Sequence, residues 1–195
     1  ARVKMSALEE ARKITDFTSA LYPDVPFLRS AEVIQMQKNN DDFVLVDIRA
    51  QDERDWSIIP GSVALDVFEN QMIPALNRET RVIVQCAWGF RSGYEARRLR
   101  NRYGLINVCH MDGIVSFTHA EGARLVQPVT QKETENVHVI RSDWGHVGKG
   151  FVAQSFGRLE YYVRDPIITA TFLFRRLQNW IHIMRFGPPP SMKQA

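Results

Sequence analysis

Cysteine is scarce in this chain: Cys86 and Cys109, 23 positions apart, are the only two in 195 residues. That excludes a disulfide framework and a cysteine-pair metal site, and it favours a reducing compartment in which a free thiol survives. Histidine adds little, because His110, His119, His138, His146 and His182 are scattered, without the close His/Cys/Asp spacing of a zinc site. No metal and no cofactor is therefore expected. The chain also lacks a long uncharged apolar run, an internal repeat and a signal-peptide pattern, so no bilayer span is expected.

Net charge is small as well, +3, but it is unevenly spread. Residues 1–127 hold 16 Lys/Arg against 17 Asp/Glu, whereas residues 128–195 hold 9 against 5. The basic character belongs to the C-terminal third, which suits an acidic partner or surface there. The first residue is Ala, which fits a processed chain. Removal of a transit peptide would place the protein in the mitochondrial matrix, with the cytoplasm as the alternative.

Apolar content of 45% and charged content of 24% are those of an ordinary globular protein. Ser6-Ala7-Leu8-Glu9 reads as a capping box opening an amphipathic helix to about Leu21. Tyr22 to Pro26 stops it, and Ser30 is placed to cap a short helix through Met36. Phe43 to Asp47 and Arg81 to Gln85 are nearly continuous apolar runs, typical of strands buried on both faces. Short strands are also expected at Val63–Leu65 and Ile106–His110, with helices at Gln71–Leu76 and Glu95–Tyr103. Strands alternating with helices predict an α/β fold with a parallel sheet.

After Pro128 the pattern changes, and 138–150 reads as loop. Asp165-Pro166 then begins an amphipathic helix over about 166–186, some 30 Å long. Three units are thus expected: 1–28, a central domain 29–127, and a basic extension 128–195.

The chemistry concentrates where a buried strand ends on Cys86, followed by Ala87-Trp88-Gly89-Phe90-Arg91-Ser92 and a helical pattern. In a parallel sheet that position lies at the carboxyl edge, where loops carry function. Loop amides and a helix N-terminus there favour the thiolate, the nucleophilic form. Phosphate ester hydrolysis is the rival chemistry. Cysteine phosphatases place five residues between cysteine and arginine, but only four separate Cys86 from Arg91.

These residues spell a Cys-x-x-Gly-x-Arg-Ser loop, and the chain resembles the rhodanese-like sulfurtransferases over about residues 29–127. Asp47-Ile48-Arg49 with Glu53 is similar to the family's Asp-x-Arg-x-x-x-Glu. Ile59-Pro60-Gly61-Ser62 resembles its Ile-Pro-Gly-Ala, and Asp112-Gly113 with Phe117 falls where Gly-Gly and Trp precede and enter its last helix. The resemblance implies a three-layer domain, a parallel sheet flanked by helices, carrying an N-terminal helix and a long C-terminal extension. It also implies a two-step transfer in which Cys86 takes a sulfane sulfur from thiosulfate or a persulfide and passes it to a thiol or cyanide-like acceptor. Asp47, Arg49 and Glu53 then support the loop, and Arg91 anchors it or holds an anionic donor.

Ser57-Ile58 stands where Gly-His is usual, and one glycine of the later pair is missing. Ala87, Trp88 and Phe90 leave the loop apolar apart from Arg91, which makes the dianion thiosulfate a poor expected donor. Arg97, Arg98, Arg100 and Arg102 read as a solvated helix face, not a nucleic-acid surface. Residues 165–187 supply the alternative function, a docking module engaging a protein partner, or a membrane surface, through the C-terminal helix.

Overall fold

The two apolar runs become neighbouring strands at the centre of a parallel sheet. In the computed structural model, which describes residues 6–140 and 145–155 with positions 174, 177, 181, 184 and 185, Val44–Asp47 forms β2 and Val82–Gln85 forms β4. Every residue of β4 is buried, as a strand covered on both faces must be. The elements before it are α1 (Ala7–Ala20), β1 (Phe27–Leu28), α2 (Ser30–Asn39), α3 (Gln51–Arg54), β3 (Val63–Ala64) and α4 (Leu65–Val67). Those after it are α5 (Phe90–Tyr103), β5 (Val108–Met111), α6 (Ile114–Phe117), β6 (Asn136–His138) and β7 (Val152–Gln154). The sheet order is β1-β5-β4-β2-β3, with every pairing parallel.

Side chains alternate across β4 and divide the core in two. Ile83 faces α1, α2 and α6 with Leu45, Val33, Ile34, Ala11, Ile114 and Phe117. Val82 and Val84 face α5 with Val46, Ala96, Leu99 and Phe68. The result is the expected α/β architecture, a parallel sheet between helical layers.

Local boundaries differ from the sequence pattern for identifiable reasons. Ser6 caps α1 as expected, its hydroxyl accepting from Glu9 N–H at 3.3 Å while Glu9 accepts from Ser6 N–H at 2.8 Å. Ser30 does not cap α2. It is the first helical residue, and its hydroxyl donates instead to Asp112, whose carboxylate also accepts the Ser30 N–H at 3.3 Å. Residues 68–72 form a π-helical turn and 73–75 a 3-10 turn in place of one helix over 71–76. Helix α5 starts at Phe90, inside the cysteine loop, because Gly89 at φ 86° lets the chain turn directly into it.

The loop expected over 138–150 is flanked by two strands that the sequence pattern did not predict, β6 ending at its first residue and β7 following it. Strands β6 and β7 pair in parallel, and Val137 and Val139 are buried in the same cluster as Trp88 and Phe117, on the α6 side of the sheet. Gly148 packs so closely on Thr118 that a Cβ there would meet its carbonyl oxygen at 2.0 Å. The helix expected at 166–186 lies outside the described residues, apart from five positions that are helical and exposed.

Val137→Ala removes buried apolar volume from a residue of the extension. Its expected cost is about 2 kcal/mol in urea unfolding. A loss below about 0.5 kcal/mol would show that 136–154 unfolds apart from the domain.

His110 sits in β5 with its ring edge-on to Tyr22 and Phe27, at centroid distances of 5.9 and 5.1 Å. Burial pushes its pKa down to about 4 from the usual 6.5. The unfolded chain therefore takes up a proton that the folded ring refuses. The stability gained by keeping the ring neutral is complete above 6.5 and is lost as pH falls towards 4. His138 acts in the same direction, and Asp112, held up at about 6, acts in the opposite one. His110→Phe should keep the aromatic contacts and flatten the acid loss by up to about 3 kcal/mol. Thermal unfolding followed from pH 7 to about 4 tests this, and parallel curves for the two proteins would refute it.

Candidate active site

Cys86 follows the last residue of β4, at the carboxyl edge of the sheet, and the N-terminus of α5 begins four residues on. The Gly89 N–H donates to Cys86 Sγ at 3.1 Å. The Ser92 hydroxyl accepts from the thiol at 3.7 Å and itself donates to the Gly89 carbonyl at 3.0 Å. A sulfur anion here faces an N–H donor and the positive end of a 14-residue helix.

The loop's shape is held by its carbonyls. The N–H groups of Ile114 and Val115, at the start of α6, donate to the carbonyls of Cys86 and Ala87 at 2.8 and 3.2 Å. This approach needs Gly113: at φ 93° it lies where a Cβ would be 2.6 Å from the Ala87 oxygen. The glycine kept from the usual pair is thus the one this contact requires.

Arg91 is bonded to a carboxylate beside the loop. Its Nη2 and Nη1 donate to Glu53 Oε1 and Oε2 at 2.8 and 2.9 Å, a bidentate pair in which Glu53 is fully buried. Burial alone would raise the Glu53 carboxyl, but the Arg91 guanidinium outweighs it and holds the group at about 2. Glu53 raises the pKa of Arg91 in return. Glu53 also accepts from Ala50 N–H at 2.9 Å, which fixes α3. Alongside, Arg49 pairs with Asp47 at 2.6 Å, both buried, and donates to the Ser57 carbonyl at 2.7 Å. Asp47, Arg49, Glu53 and Arg91 therefore form one buried group beside the loop. Ser57 enters it through its backbone.

Ala87 and Trp88 are buried, and Trp88 belongs to the core with its ring edge-on to His146. Phe90 stacks against Phe17 of α1 at 5.8 Å. Both aromatics pack against neighbouring elements. Cys86 itself is 1% exposed.

Two groups of residues beside the loop carry no motif signal. From the N-terminal helix, Thr18 Oγ1 lies within 2.9 Å of where a Gly89 Cβ would be, and the Tyr22 hydroxyl just after it donates to the Phe90 carbonyl at 3.2 Å. From the extension, His138 Nδ1 lies 4.0 Å from Glu53 Oε1 and His146 touches Trp88. Only the amphipathic pattern of 7–20 hinted at the first group. Nothing in the sequence foretold the second.

Cys109 is buried in β5, and burial raises its thiol to about 11, so it does not compete as a nucleophile. The arginines of α5 are not a bare basic face. Arg97 pairs with Asp24, Arg100 donates to the Asp24 carbonyl, and Arg102 stacks over Tyr103. Arg98, expected in solvent, is buried between Glu95 and Glu69. No cluster of metal-ligating side chains occurs among the described residues.

Glu53→Gln should leave the Arg91 guanidinium buried without its counter-charge and cost about 3 kcal/mol at neutral pH. The stabilisation from the depressed carboxyl is complete above its ordinary 4.5 and is lost as pH falls towards 2. The gap between wild type and variant should therefore close over that range in acid-titrated denaturation. A gap that does not change with pH would contradict the assignment.

A family model for the rhodanese-like domain matches residues 30–120. A thiosulfate sulfurtransferase from Pseudomonas aeruginosa is 24% identical with a TM-score of 0.49, over 67% of this chain and 25% of that one. A rhodanese-like domain protein from Staphylococcus aureus is 19% identical, TM-score 0.42, over 50% of this chain and 95% of that one. A rhodanese-related protein from Thermoplasma volcanium is 20% identical, TM-score 0.41, over 52% and 98%. The chain spans about a quarter of the Pseudomonas enzyme's length. A search of curated proteins found no match. Residues 30–120, with the cysteine loop at their centre, are a rhodanese-like domain.

Proposed function

We propose that this protein is a sulfurtransferase that works through a persulfide on Cys86. The observation that carries the reading is the sulfur's placement: Sγ sits at the end of β4, 3.1 Å from the Gly89 N–H, where α5 begins. In the first step the Cys86 thiolate attacks the terminal sulfur of a donor persulfide. The new S–S bond forms on Cys86, the donor's S–S bond breaks, and the donor leaves as its thiolate. In the second step an acceptor thiolate attacks that terminal sulfur and Cys86 leaves as thiolate. Each step exchanges one S–S bond for another, so no oxidant is required. Gly89 and the helix terminus stabilise the persulfide charge without reorganising.

The donor is a persulfide or larger thiol compound in preference to thiosulfate. Thiosulfate brings two negative charges, and the guanidiniums beside the loop each have their charge met by a buried carboxylate, Arg91 by Glu53 and Arg49 by Asp47. The same pairing argues against phosphate ester hydrolysis, which needs an arginine facing the bound oxyanion. We place the protein in the mitochondrial matrix, with the cytoplasm as the alternative, because an unpaired reactive thiol needs reducing surroundings.

The burial of Cys86, 1% exposed, favours a second reading in which the domain is a docking module that does not turn over. Incubation with a small alkyl persulfide, then intact-mass measurement, separates the two. The enzyme gains one sulfur atom on wild type and none on Cys86→Ser, and loses it to added thiol. Transfer from the persulfide should exceed transfer from thiosulfate at least about tenfold in kcat/KM, a difference of roughly 1.4 kcal/mol. A thiosulfate rate equal to the persulfide rate would remove the donor assignment. No added mass with either donor would favour the docking module.

A further inference from the structure

The described positions near the C-terminus form one apolar stripe. Phe174, Leu177, Ile181 and Met184 are helical and 59%, 51%, 44% and 69% exposed. Their spacing of three, four and three residues puts them on a single helix face. Arg185, also helical, is exposed next to Met184. Among the described residues the other large exposed apolar side chains are Leu8, Phe17 and Leu21 at the N-terminal helix and the isolated Trp56, Ile106, Val129 and Val152, none of which forms a run of four.

We propose that this stripe docks the protein on the surface of an anionic lipid bilayer, with the apolar side chains in the acyl boundary and the arginines among the headgroups. Charge carries the choice of partner. From Pro166 to Ala195 the sequence holds Arg175, Arg176, Arg185 and Lys193 and no Asp or Glu. A segment without carboxylates complements an anionic surface over its whole length. A second copy of the chain fits poorly, because two such segments would bring eight cations together with no counter-charge. Spanning the bilayer is also disfavoured, since the adjacent Arg175 and Arg176 would each enter the hydrocarbon. Large exposed apolar side chains with an exposed arginine beside them suit a helix lying in the interface plane. The first 127 residues carry a slight negative charge, so the attraction is confined to this end of the chain.

The test is cosedimentation of the full chain with vesicles of phosphatidylcholine alone or with about 30% phosphatidylserine. Binding to the anionic vesicles should be at least about tenfold tighter and should fall as salt rises from about 0.1 to 0.5 M. Phe174→Asp with Ile181→Asp should abolish it while unfolding like wild type. Arg175→Gln, Arg176→Gln and Arg185→Gln together should remove the preference for phosphatidylserine, and this variant decides the matter if the first fails to fold. Cys86→Ser should bind as wild type, which separates this result from the sulfur chemistry. Absence of binding at low salt would overturn the proposal. So would equal binding to both vesicles, or a solution dimer that the Asp variant dissolves.

Discussion

The bidentate pair between Glu53 and Arg91 is the constraint on which the rest of the site depends. Glu53 is fully buried, and burying a carboxylate is expensive unless its charge is met. Arg91 meets it at 2.8 and 2.9 Å, and the Ala50 N–H adds a third bond. One carboxylate thereby ties the cysteine loop to α3, the short helix after β2. A buried ion pair of this kind gives position more than stability, because desolvation consumes much of the Coulomb gain. What it secures here is the path of the chain between Cys86 and Ser92. With Arg91 held, the loop turns through Gly89 into α5, and the Gly89 N–H is brought onto the sulfur.

That arrangement changes what the arginine of the loop does. Read from the sequence, Arg91 had two roles open to it, anchoring the loop or holding an anionic donor. In the structure it is bonded to Glu53, the contact that the anchoring role requires. A guanidinium bonded twice to a buried carboxylate has its charge met there, which weakens the pull it can exert on a dianion. The distinction matters because both sulfur and phosphate chemistry can be built on a cysteine followed by an arginine. Here the group that donates to the sulfur is the Gly89 N–H, at the start of α5, while the Ser92 hydroxyl accepts from the thiol and donates to the Gly89 carbonyl.

The central strands were readable because their burial is written in continuous apolar runs, Val44 to Val46 and Val82 to Val84. The loop was readable because its spacing is local. What could not be read are contacts made at long sequence separation. Asp112 caps α2 across 82 residues, and no pattern near Ser30 announces a partner that far away. Arg98 looks like part of a solvated run, yet Glu69 and Glu95 bury it. Val139 falls in the segment read as loop because of its later glycines, yet it is buried in the same core cluster as Trp88. Periodicity reports which face of an element is apolar, but not which distant element will cover it.

The loop is held on three sides, and this bears on how a substrate reaches the sulfur. Glu53 holds Arg91, the N-terminus of α6 holds the carbonyls of Cys86 and Ala87, and Trp88 is part of the core. None of these can give without breaking buried bonds or opening the core. The fourth side is different. It is formed by Phe17, Thr18 and Tyr22, which touch the loop through one aromatic contact, one close van der Waals approach and one hydrogen bond to the Phe90 carbonyl. Helix α1 buries only Ala11, Thr15 and Thr18, small side chains whose exposure is inexpensive compared with that of Trp88 or Phe117. Since Cys86 is 1% exposed, the proposed persulfide chemistry requires an opening. Opening on that side would break the Tyr22–Phe90 and Thr15–Ser116 hydrogen bonds but would leave the Glu53–Arg91 pair and the Gly89 N–H to Sγ contact in place.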